Sequence, residues 1–567
     1  MITNHAMMVV LMFVMCGAVR AQSTASTNAE QSPSGVITGR VVNENGQALP
    51  GASLNVRAVS STNPGRTLIT DLEGNFRASN LDPGLYMISA GAPAYTSEPN
   101  PGEYYRVGDS VRLQLIKGGV VTGTVTNAMG EPIVGVNVRA IRIRDAQGQL
   151  PKSPSFANSQ QSTDDRGMYR IYGLAPGTYV VGAGGGSGFI GFFSPFDSDI
   201  PTFSPSATRD TAAEIVVRAG EESTADIRYR GEPGYSISGK VNVSGNDRAT
   251  ITLTTMGVVT STSNAFVVPG STGFMFNGLP DGEYKLVASV ISSTPTTNLP
   301  QSSLSDPKRV TIKRASVTGI ELTPKPLGSI SGRFSLEPTK VTECQGKRPP
   351  LFAETMVQAH RSEKDIEEDD LSQRTLSSTA IADGNGAFTL RNLRAGRYRF
   401  EPRFYARYWY LQSITMTTGA VKPQKIDVAA NWTTLKSSEQ LHNVTITLAE
   451  GAASLRGRIV VAEGATAPAT AVVYLVPAET DKADDVLRYF VTNIGADGAF
   501  TLTNLPPGKY LALMQTTADA QIETLAKLRQ PESAAARTKL RRNAEAQKAE
   551  IELKPCQNLT DYQLVSK

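Results

Sequence analysis

The chain has 567 residues, several times the usual domain size of about 100–200 residues, so a single-domain protein is excluded. It contains 50 Gly and 33 Pro with 40% hydrophobic and only 7% aromatic residues, which favours a turn-rich, all-β globular protein over a disordered one. The formal net charge of +4 and the lack of a Lys/Arg block argue against nucleic acid as a partner.

The first predicted element is a secretory signal over residues 1–21. Residues 6–19 form an apolar run, and Val19 and Ala21 satisfy the small-residue rule for cleavage after Ala21. The run is shorter than the ~20 residues of a membrane-spanning helix, and no later segment resembles one. We therefore expect an exported chain without an integral membrane span after cleavage, in which residues 22–34 form a linker.

Five segments share one pattern, of which the first is TDLEGNFRASNLDPGLY at residues 70–86. Each ends in Tyr and has Gly two positions before it, Leu five before it and an aromatic residue ten before it. The five sets are Phe76, Leu81, Gly84 and Tyr86; Tyr169, Leu174, Gly177 and Tyr179; Phe274, Leu279, Gly282 and Tyr284; Phe388, Leu393, Gly396 and Tyr398; and Phe500, Leu505, Gly508 and Tyr510. Each set follows a strand-like start with a glycine, at Gly39, Gly123, Gly239, Gly332 and Gly457. The starts lie 84 to 125 residues apart, a domain-sized repeat that is too long for a solenoid.

The acidic residues of the first segment, Asp71 and Glu73, raise the question of a ligand or catalytic site. No pair of carboxylates recurs, because Asp71 is matched by Asp164, Pro269, Asp383 and Gly495 in the other repeats. The recurring residues instead predict two strands that point apolar groups at one core around a type II turn at Pro-Gly. We therefore favour a turn or Asx cap at Asp71 over a metal ligand or an acid/base pair.

The repeats predict an all-β fold, a tandem array of about five Ig-like or transthyretin-like β-sandwiches with a short C-terminal helical tail. The expected sandwiches span residues 35–117, 118–231, 232–326, 327–450 and 451–515. Residues 516–567 are rich in Ala, Glu, Lys and Arg and predict two helices separated at Pro531.

The strand start, the turn after it and the TDxxGxF…LxPGxY segment together resemble the carboxypeptidase regulatory-like domain, a transthyretin-like or carbohydrate-binding-like β-sandwich. The resemblance is best at residues 35–117 and 119–230 and weakest at 233–326. It implies the fold but little about function, because such modules accompany metallopeptidases, outer-membrane transporters and surface proteins. Multi-copy chains of this type are typical of secreted bacterial proteins with an accessory or structural role.

The three histidines do not form a pattern that is typical of a catalytic or metal site. His5 belongs to the predicted signal, and His360 and His442 stand alone, without the spacing of a metal site. No G-x-S-x-G motif supports a serine hydrolase. We therefore expect no enzyme, no cofactor and no metal.

Two aromatic segments are candidates for recognition. Tyr405, Tyr408, Trp409 and Tyr410 stand among arginines and are possible glycan contacts, with a role in the domain core and interface as the favoured alternative. A Gly/Ser/Pro-rich insertion of the second domain holds five more rings, which are either exposed or folded back onto the domain: Phe189, Phe192, Phe193, Phe196 and Phe203.

Two cysteines remain after signal cleavage, Cys344 and Cys556, in a compartment where disulfides persist. They form either a disulfide between the tail and the fourth repeat or two free thiols.

The expected function is that of an exported, non-enzymatic scaffold or adhesion-like protein of the cell envelope. Two alternatives stay open: a carbohydrate-binding protein, and a regulatory or accessory subunit of a peptidase or an outer-membrane transporter. The expected partners are a polysaccharide or another envelope protein, and the expected location is periplasmic, outer-membrane-associated or extracellular.

Overall fold

The computed structural model describes residues 35–565 except 62, 98–102, 151–159, 186–193, 245–246, 257–260, 292–301, 367–377, 420–421, 461–470, 496 and 517–523. Over these residues five β-sandwiches follow one another, which confirms the predicted tandem all-β array. The predicted signal over residues 1–21 and the linker over 22–34 lie outside the described residues.

The first domain shows the topology that the other four repeat. Its first strand runs antiparallel to its fourth strand and parallel to the strand that closes the domain, so that one sheet has the order β4-β1-β8 and the other β3-β2-β5-β7. Its strands are β1 (Gly35–Val42), β2 (Ser53–Ala58), β3 (Arg66–Ile69), β4 (Asn75–Leu81), β5 (Leu85–Gly91), β6 (Tyr95–Thr96), β7 (Tyr105–Arg106), β8 (Ser110–Gln114) and β9 (Ile116–Lys117).

The second domain has the sheets β13-β10-β17 and β12-β11-β14-β15, with β18 and β16 added at their edges. Short 3-10 helices cover Pro195–Ser198 and Arg209–Thr211. Its strands are β10 (Gly119–Thr126), β11 (Asn137–Asp145), β12 (Gln160–Ser162), β13 (Met168–Leu174), β14 (Gly177–Ala183), β15 (Thr202–Phe203), β16 (Ile215–Val217), β17 (Glu222–Thr224) and β18 (Ile227–Arg228).

The third domain has the sheets β22-β19-β26 and β21-β20-β23-β24-β27, with β25 also paired to β23. Its strands are β19 (Tyr235–Val241), β20 (Arg248–Thr255), β21 (Ser261–Val267), β22 (Gly273–Leu279), β23 (Gly282–Ile291), β24 (Ser302–Leu304), β25 (Lys308–Ile312), β26 (Val317–Leu322) and β27 (Lys325–Pro326).

The fourth domain has the sheets β31-β28-β36-β33-β34 and β30-β29-β32-β35. It also contains 3-10 turns at Thr342–Cys344, Phe352–Glu354 and Glu363–Asp365. Its strands are β28 (Gly328–Glu337), β29 (Met356–Arg361), β30 (Ser378–Ile381), β31 (Ala387–Leu393), β32 (Gly396–Arg403), β33 (Trp409–Thr418), β34 (Gln424–Asp427), β35 (Thr433–Leu435) and β36 (Gln440–Glu450).

The fifth domain has the sheets β40-β37-β43 and β39-β38-β41-β42. Short 3-10 turns lie at Thr480–Lys482, Val486–Arg488 and Pro531–Ser533. Its elements are β37 (Ala453–Val460), β38 (Ala471–Pro477), β39 (Phe490–Asn493), β40 (Ala499–Leu505), β41 (Gly508–Thr516), α1 (Leu525–Leu528), α2 (Ala534–Gln547), β42 (Glu550–Leu553) and β43 (Asn558–Val565).

The expectation of a separate helical tail over residues 516–567 is wrong for its last part. β42 pairs with β41, and β43 pairs in parallel with β37, so the end of the described chain completes both sheets of the fifth sandwich. The helices are an insertion before these strands. Leu528, Leu540 and Ala544 pack on the outer face of β38 and β41, against Tyr474 and Leu513. β38 is therefore buried on both faces, which explains its uninterrupted apolar sequence AVVYLV.

The glycine of each strand start faces the signature aromatic residue across the sheet. The five pairs are Gly39 with Phe76, Gly123 with Tyr169, Gly239 with Phe274, Gly332 with Phe388, and Gly457 with Phe500. A Cβ at any of these glycines would stand only 2.0–2.5 Å from a carbonyl oxygen of the closing segment. In every repeat except the third the aromatic residue also lies within 3.0 Å of that position, whereas Ile320 occupies it in the third. The glycine is therefore required for the close approach of the closing segment.

A left-handed residue precedes the signature leucine in every repeat. These residues are Asn80, Gly173, Gly278, Asn392 and Asn504, with φ between 57° and 72°. At the same place the pairing of the first and fourth strands shifts register, which is the pattern of a β-bulge with a left-handed residue. Asn and Gly are the residues that tolerate this conformation, so the bulge explains the N-L and G-L dipeptides of the sequence.

The signature tyrosine closes the turn by a hydrogen bond. In each repeat its hydroxyl donates to the backbone carbonyl four residues earlier, over 2.7–2.8 Å, as in a tyrosine corner. The expected type II turn is wrong in detail, because the glycines of repeats two to five have φ of 144–157° where that turn requires about 80°. Each of these glycines begins a strand, and a Cβ at Gly177 would stand 2.4 Å from the carbonyl oxygen of Arg144.

Candidate functional site: the junctions between domains

The aromatic segment of the fourth domain lies at its contacts with other domains. Trp409 is only 3% exposed and belongs to the core of the fourth domain. Tyr405 lies under the guanidinium of Arg106 from the first domain, whose Cζ is 4.5 Å from the ring centroid. Tyr408 and Tyr410 are half-buried. The burial of Trp409 and the contact of Tyr405 with Arg106 favour the alternative of core and interface packing for these two rings.

The two rings of the second domain's insertion that the structure describes also fold back. Phe203 is buried beneath Gly182, and Phe196 stacks edge-on against Tyr229 with 5.7 Å between ring centroids. Phe189, Phe192 and Phe193 of the same insertion lie outside the described residues.

A disulfide joins the fourth and fifth domains. Cys344 and Cys556 are bonded, their Cα atoms are 5.5 Å apart, and both side chains are buried. Beside it, Asn558 donates from Nδ2 to the hydroxyl of Tyr408 at 3.3 Å and accepts from Ser454 Oγ at 2.7 Å. Cys556 itself has a left-handed φ of 57° in the turn between β42 and β43, so the bridge anchors the turn that leads into the closing strand.

The helical insertion forms a second contact between these two domains. Arg399 of β32 donates to the carbonyl of Ala526 in α1, and Trp432 Nε1 donates to Glu532 Oε1 at 2.9 Å. Burial lowers the pKa of Arg529 to about 10, and Glu401 opposes that shift. The helical insertion therefore packs on its own domain and also contacts the fourth domain.

Glu401 is the acidic centre of this contact. Its Oε2 lies 2.9 Å from His360 Nε2 and its Oε1 lies 3.5 Å from Arg403 Nε. The hydrogen bond from His360 is the main reason that the pKa of Glu401 is lowered to about 2, with Arg403 and Arg529 adding to the effect against the opposing effect of burial. His360 thus pairs with Glu401 within the fourth domain.

The left-handed bulge residues of the later repeats face the preceding domain. Asn504 donates from Nδ2 to the carbonyls of Ala406 and Trp409 in the fourth domain, at 2.8 and 2.7 Å. Asn392 of the fourth domain accepts from the backbone N–H of Ser302 in the third, at 3.1 Å. A Cβ at Gly278 of the third domain would stand 2.5 Å from the carbonyl oxygen of Asp199 in the second. The bulge therefore shapes each fold and also forms part of a junction.

The first domain also contacts the fourth. Glu354 is 4% exposed, and its carboxylate lies 3.0 Å from Arg348 of its own domain and 4.0 Å from Arg106 of the first. Arg106 thus contacts both Tyr405 and Glu354. Domains that are distant along the chain are held together here, so the array is folded back and not a string of separate domains.

Asp71 caps a turn, as its equivalents do. Its Oδ1 accepts from the backbone N–H groups of Glu73 and Asn75, at 3.1 and 2.7 Å. Asp164 and Asp383 make the same pair of bonds in their own repeats, so these carboxylates are engaged with the backbone.

The described residues hold no cluster of three or more His, Cys, Asp or Glu side chains suited to a metal ion. His442 Nδ1 lies 2.7 Å from Ser331 Oγ on the surface, and no hydrogen bond joins His442 to a carboxylate of the described chain. A serine nucleophile needs a base oriented by a third group, and this pair does not show one. Within the described ranges no helix has the length and apolar character needed to cross a bilayer.

Comparison with solved structures gives distant likenesses. The TIE protein of Bacillus anthracis is 11% identical, with 91% of this chain and 75% of that chain covered and a TM-score of 0.15. The minor pilin GBS52 of Streptococcus agalactiae is 13% identical, over 35% of this chain and 96% of that one, with a TM-score of 0.20. Two B repeat units of the collagen binding protein of Staphylococcus aureus are 12% identical, over 74% and 100%, with a TM-score of 0.13. At these values the likenesses say nothing about function.

The sequence itself has one family match. No curated protein matches the chain. Residues 36–115 match the family model of the carboxypeptidase regulatory-like domain, which confirms the resemblance inferred from the repeat pattern. The matched range coincides with β1 to β8, the two sheets of the first sandwich. Its first domain is therefore similar to carboxypeptidase regulatory-like domains, and four more sandwiches with the same glycine, bulge and tyrosine corner follow it.

Proposed function

We propose that the chain is an exported, non-enzymatic scaffold of the cell envelope with an adhesion-like role. The observation that carries this proposal is the set of junctions, in which bulge residues, the ion pair between Arg106 and Glu354 and a disulfide hold domains against one another. A fixed spacing between domains is what a scaffold needs, whereas catalysis needs a site that these junctions do not offer. The disulfide fits an oxidising compartment outside the cytoplasm.

Export and crosslinking are tested together in the native host. We expect fractionation to place the protein in the envelope or the medium, its N-terminus to begin after Ala21, and non-reducing peptide mapping to recover Cys344 linked to Cys556. A cytoplasmic protein with an intact N-terminus and free thiols would contradict the proposal.

The fixed arrangement is tested by small-angle X-ray scattering. The disulfide closes a loop with a sequence separation of 212 residues, for which the chain-entropy model gives about 5 kcal/mol of stabilisation as an upper value. We expect the double variant Cys344→Ser/Cys556→Ser to have a larger radius of gyration and earlier proteolysis between the fourth and fifth domains. Identical scattering and proteolysis would show that the bridge does not hold the junction.

The family match of residues 36–115 favours a second role, that of an accessory subunit. Such a subunit is expected to co-purify from its host with a peptidase or an outer-membrane transporter. Recovery of the chain alone, after crosslinking in intact cells, would leave the scaffold as the sole proposal.

A further inference from the structure

A cavity of about 120 Å³ lies between the second and third domains, beside the junction at Gly278. Its walls come from both domains and are mainly apolar, with two arginines on the side of the second domain. The residues that carry the argument are Arg139, Phe203, Arg209, Leu253, Leu279 and Tyr284.

Arg209 is the unusual member of this lining. It lies in the short 3-10 helix Arg209–Thr211, and its Nε and Nη2 are buried without a hydrogen-bond partner. Burial lowers the pKa of Arg209 to about 10, and the carboxylate that opposes this shift belongs to Asp210, the next residue, which is exposed. A buried guanidinium edge without a hydrogen-bond acceptor is unfavourable. The described residues supply no acceptor for this edge of Arg209.

Arg139 differs from Arg209 because its donors are engaged. Its Nη2 donates to the carbonyls of Gly184 and Gly185 at 3.1 and 2.9 Å. Arg139 therefore adds positive charge to the cavity, but its Nη2 already has acceptors. Arg209 adds both positive charge and hydrogen-bond donors that have no acceptor.

The positions of the free donors define what would fit. Nε and Nη2 lie on the same edge of a guanidinium, and this edge matches the two oxygens of a carboxylate in a bidentate pair. The apolar walls suit an apolar body next to that carboxylate. The volume is comparable to that of an engineered cavity of ~150 Å³ that takes up benzene.

We propose that the cavity between the second and third domains binds a carboxylate that carries an apolar body, with Arg209 as its bidentate partner. The ligand is either a free acid or the C-terminal carboxylate of a peptide. This site is independent of the scaffold role, which rests on other contacts.

The test uses the full-length protein and titration calorimetry with benzoate. We expect one benzoate to bind per chain with a Kd of about 1 mM or tighter. Benzamide has the same ring without the charge, and we expect it to bind at least about tenfold more weakly. N-acetylphenylalanine distinguishes the two sources: its binding identifies a peptide C-terminus, and binding of benzoate alone identifies a free acid.

Arg209→Gln is the matched variant, and we expect it to lower the affinity for benzoate at least about tenfold. Its control is Arg218→Gln, in the same domain, whose side chain is 69% exposed and paired with Glu221. We expect this control to bind as the unchanged protein does. Equal affinity for benzoate and benzamide, unchanged binding by Arg209→Gln, or no binding of either acid would overturn the proposal. The first and the last of these outcomes are measured on the unchanged protein, so they do not depend on whether a variant folds.

Discussion

In the fourth domain Gly332 of β28 faces Phe388 of β31, and the ring lies where a side chain would otherwise stand. The same exchange of a missing side chain for a ring recurs in the first, second and fifth domains, whereas Ile320 lies beside Gly239 in the third. In all five domains the missing side chain leaves room for a carbonyl of the closing segment. A glycine in the middle of a strand usually weakens it, and here it is the residue that permits the sandwich to close.

Gly332→Ala is expected to destabilise the fourth domain by about 1–3 kcal/mol or more, as overpacking does. The added Cβ would stand 2.2 Å from the carbonyl oxygen of Val444 and 2.7 Å from the Phe388 ring. Hydrogen exchange of peptides from β28 and β31 measures the loss of protection. Gly384→Ala is the control, since its Cβ would meet nothing within 4 Å. Equal protection in both variants would contradict this account of the glycine.

Tyr179→Phe tests the tyrosine corner. The change removes the bond to the carbonyl of Ala175 and leaves that carbonyl unpaired, so we expect a loss of about 1–3 kcal/mol in local stability. The measurement is hydrogen exchange over β13 and β14. Tyr172→Phe is the control, because Tyr172 is exposed on β13, and an equal effect in both variants would remove the special role of the corner.

The sequence predicted the signature aromatic, Leu and Tyr positions because burial imposes the same residue in every copy. It did not predict the orientation of Trp409, since a ring flanked by arginines has the same composition in a surface platform as in a core. An Asn or Gly stands before each signature leucine in the sequence. That this residue is left-handed and forms a β-bulge follows only from the register shift beside it.

At the scale of elements, the β-bulge of the fourth strand belongs both to the sheet of its own domain and to the contact with the neighbouring domain. It places a left-handed residue at the end of the fourth strand, and in the later repeats this residue faces the preceding domain. One backbone feature therefore sets the register within a sheet and fixes a contact outside it.

Asn504 separates these two roles. Asn504→Gly keeps the left-handed backbone and loses the bonds to Ala406 and Trp409, whereas Asn504→Ala loses both. We expect the Gly variant to lose about 1–2 kcal/mol at the junction and the Ala variant about 1–2 kcal/mol more. Thermal unfolding and hydrogen exchange over residues 406–410 measure both effects. Equal stability of the two variants would show that the left-handed conformation carries no cost here.

The helical insertion was predicted from its Ala, Glu, Lys and Arg content, and α2 confirms a helix in this region. The strands after it were missed because that composition continues into EIEL, whose alternation of polar and apolar residues is short. β43 was missed because a strand that pairs in parallel with β37 has its partner far away in the sequence. Local patterns do not report such a partner.

At the scale of the whole molecule, we expect acid to destabilise the fourth domain at Glu401, close to its contact with the fifth domain. The pKa of Glu401 is lowered to about 2 in the folded protein, below its unfolded value of about 4.3. A lowered pKa contributes stability above the unfolded value, and this contribution is lost as the pH falls from about 4.3 towards 2. We expect the chain to lose stability over this range.

Glu401→Gln is expected to flatten this part of the pH profile, measured as the thermal midpoint between about pH 5 and about pH 2. Glu221→Gln is the control, because Glu221 is exposed on the second domain. A Glu401→Gln profile with the original slope would show that another carboxylate is responsible.

The sequence indicated that the segment with Tyr405 packs in a core or an interface, but it did not indicate a partner domain. The contact with Arg106 of the first domain was therefore not predicted. The repeated pattern predicted the fold of each domain, because the buried positions and the backbone geometry that it reflects lie within one domain. The contacts between domains depend on surface shape, which no repeated pattern encodes.

The parallel closing strand also determines the order in which the chain is completed. The partner of each domain's first strand comes last in that domain, so a chain that folds during synthesis completes its domains one at a time from the N-terminus. In the fourth domain β28 has no parallel partner until Gln440–Glu450 has been made, and in the fifth domain β37 has none until Asn558–Val565 has been made. Cys344 and Cys556 are 212 residues apart in the sequence, so their bond can form only after nearly the whole fifth domain has been made.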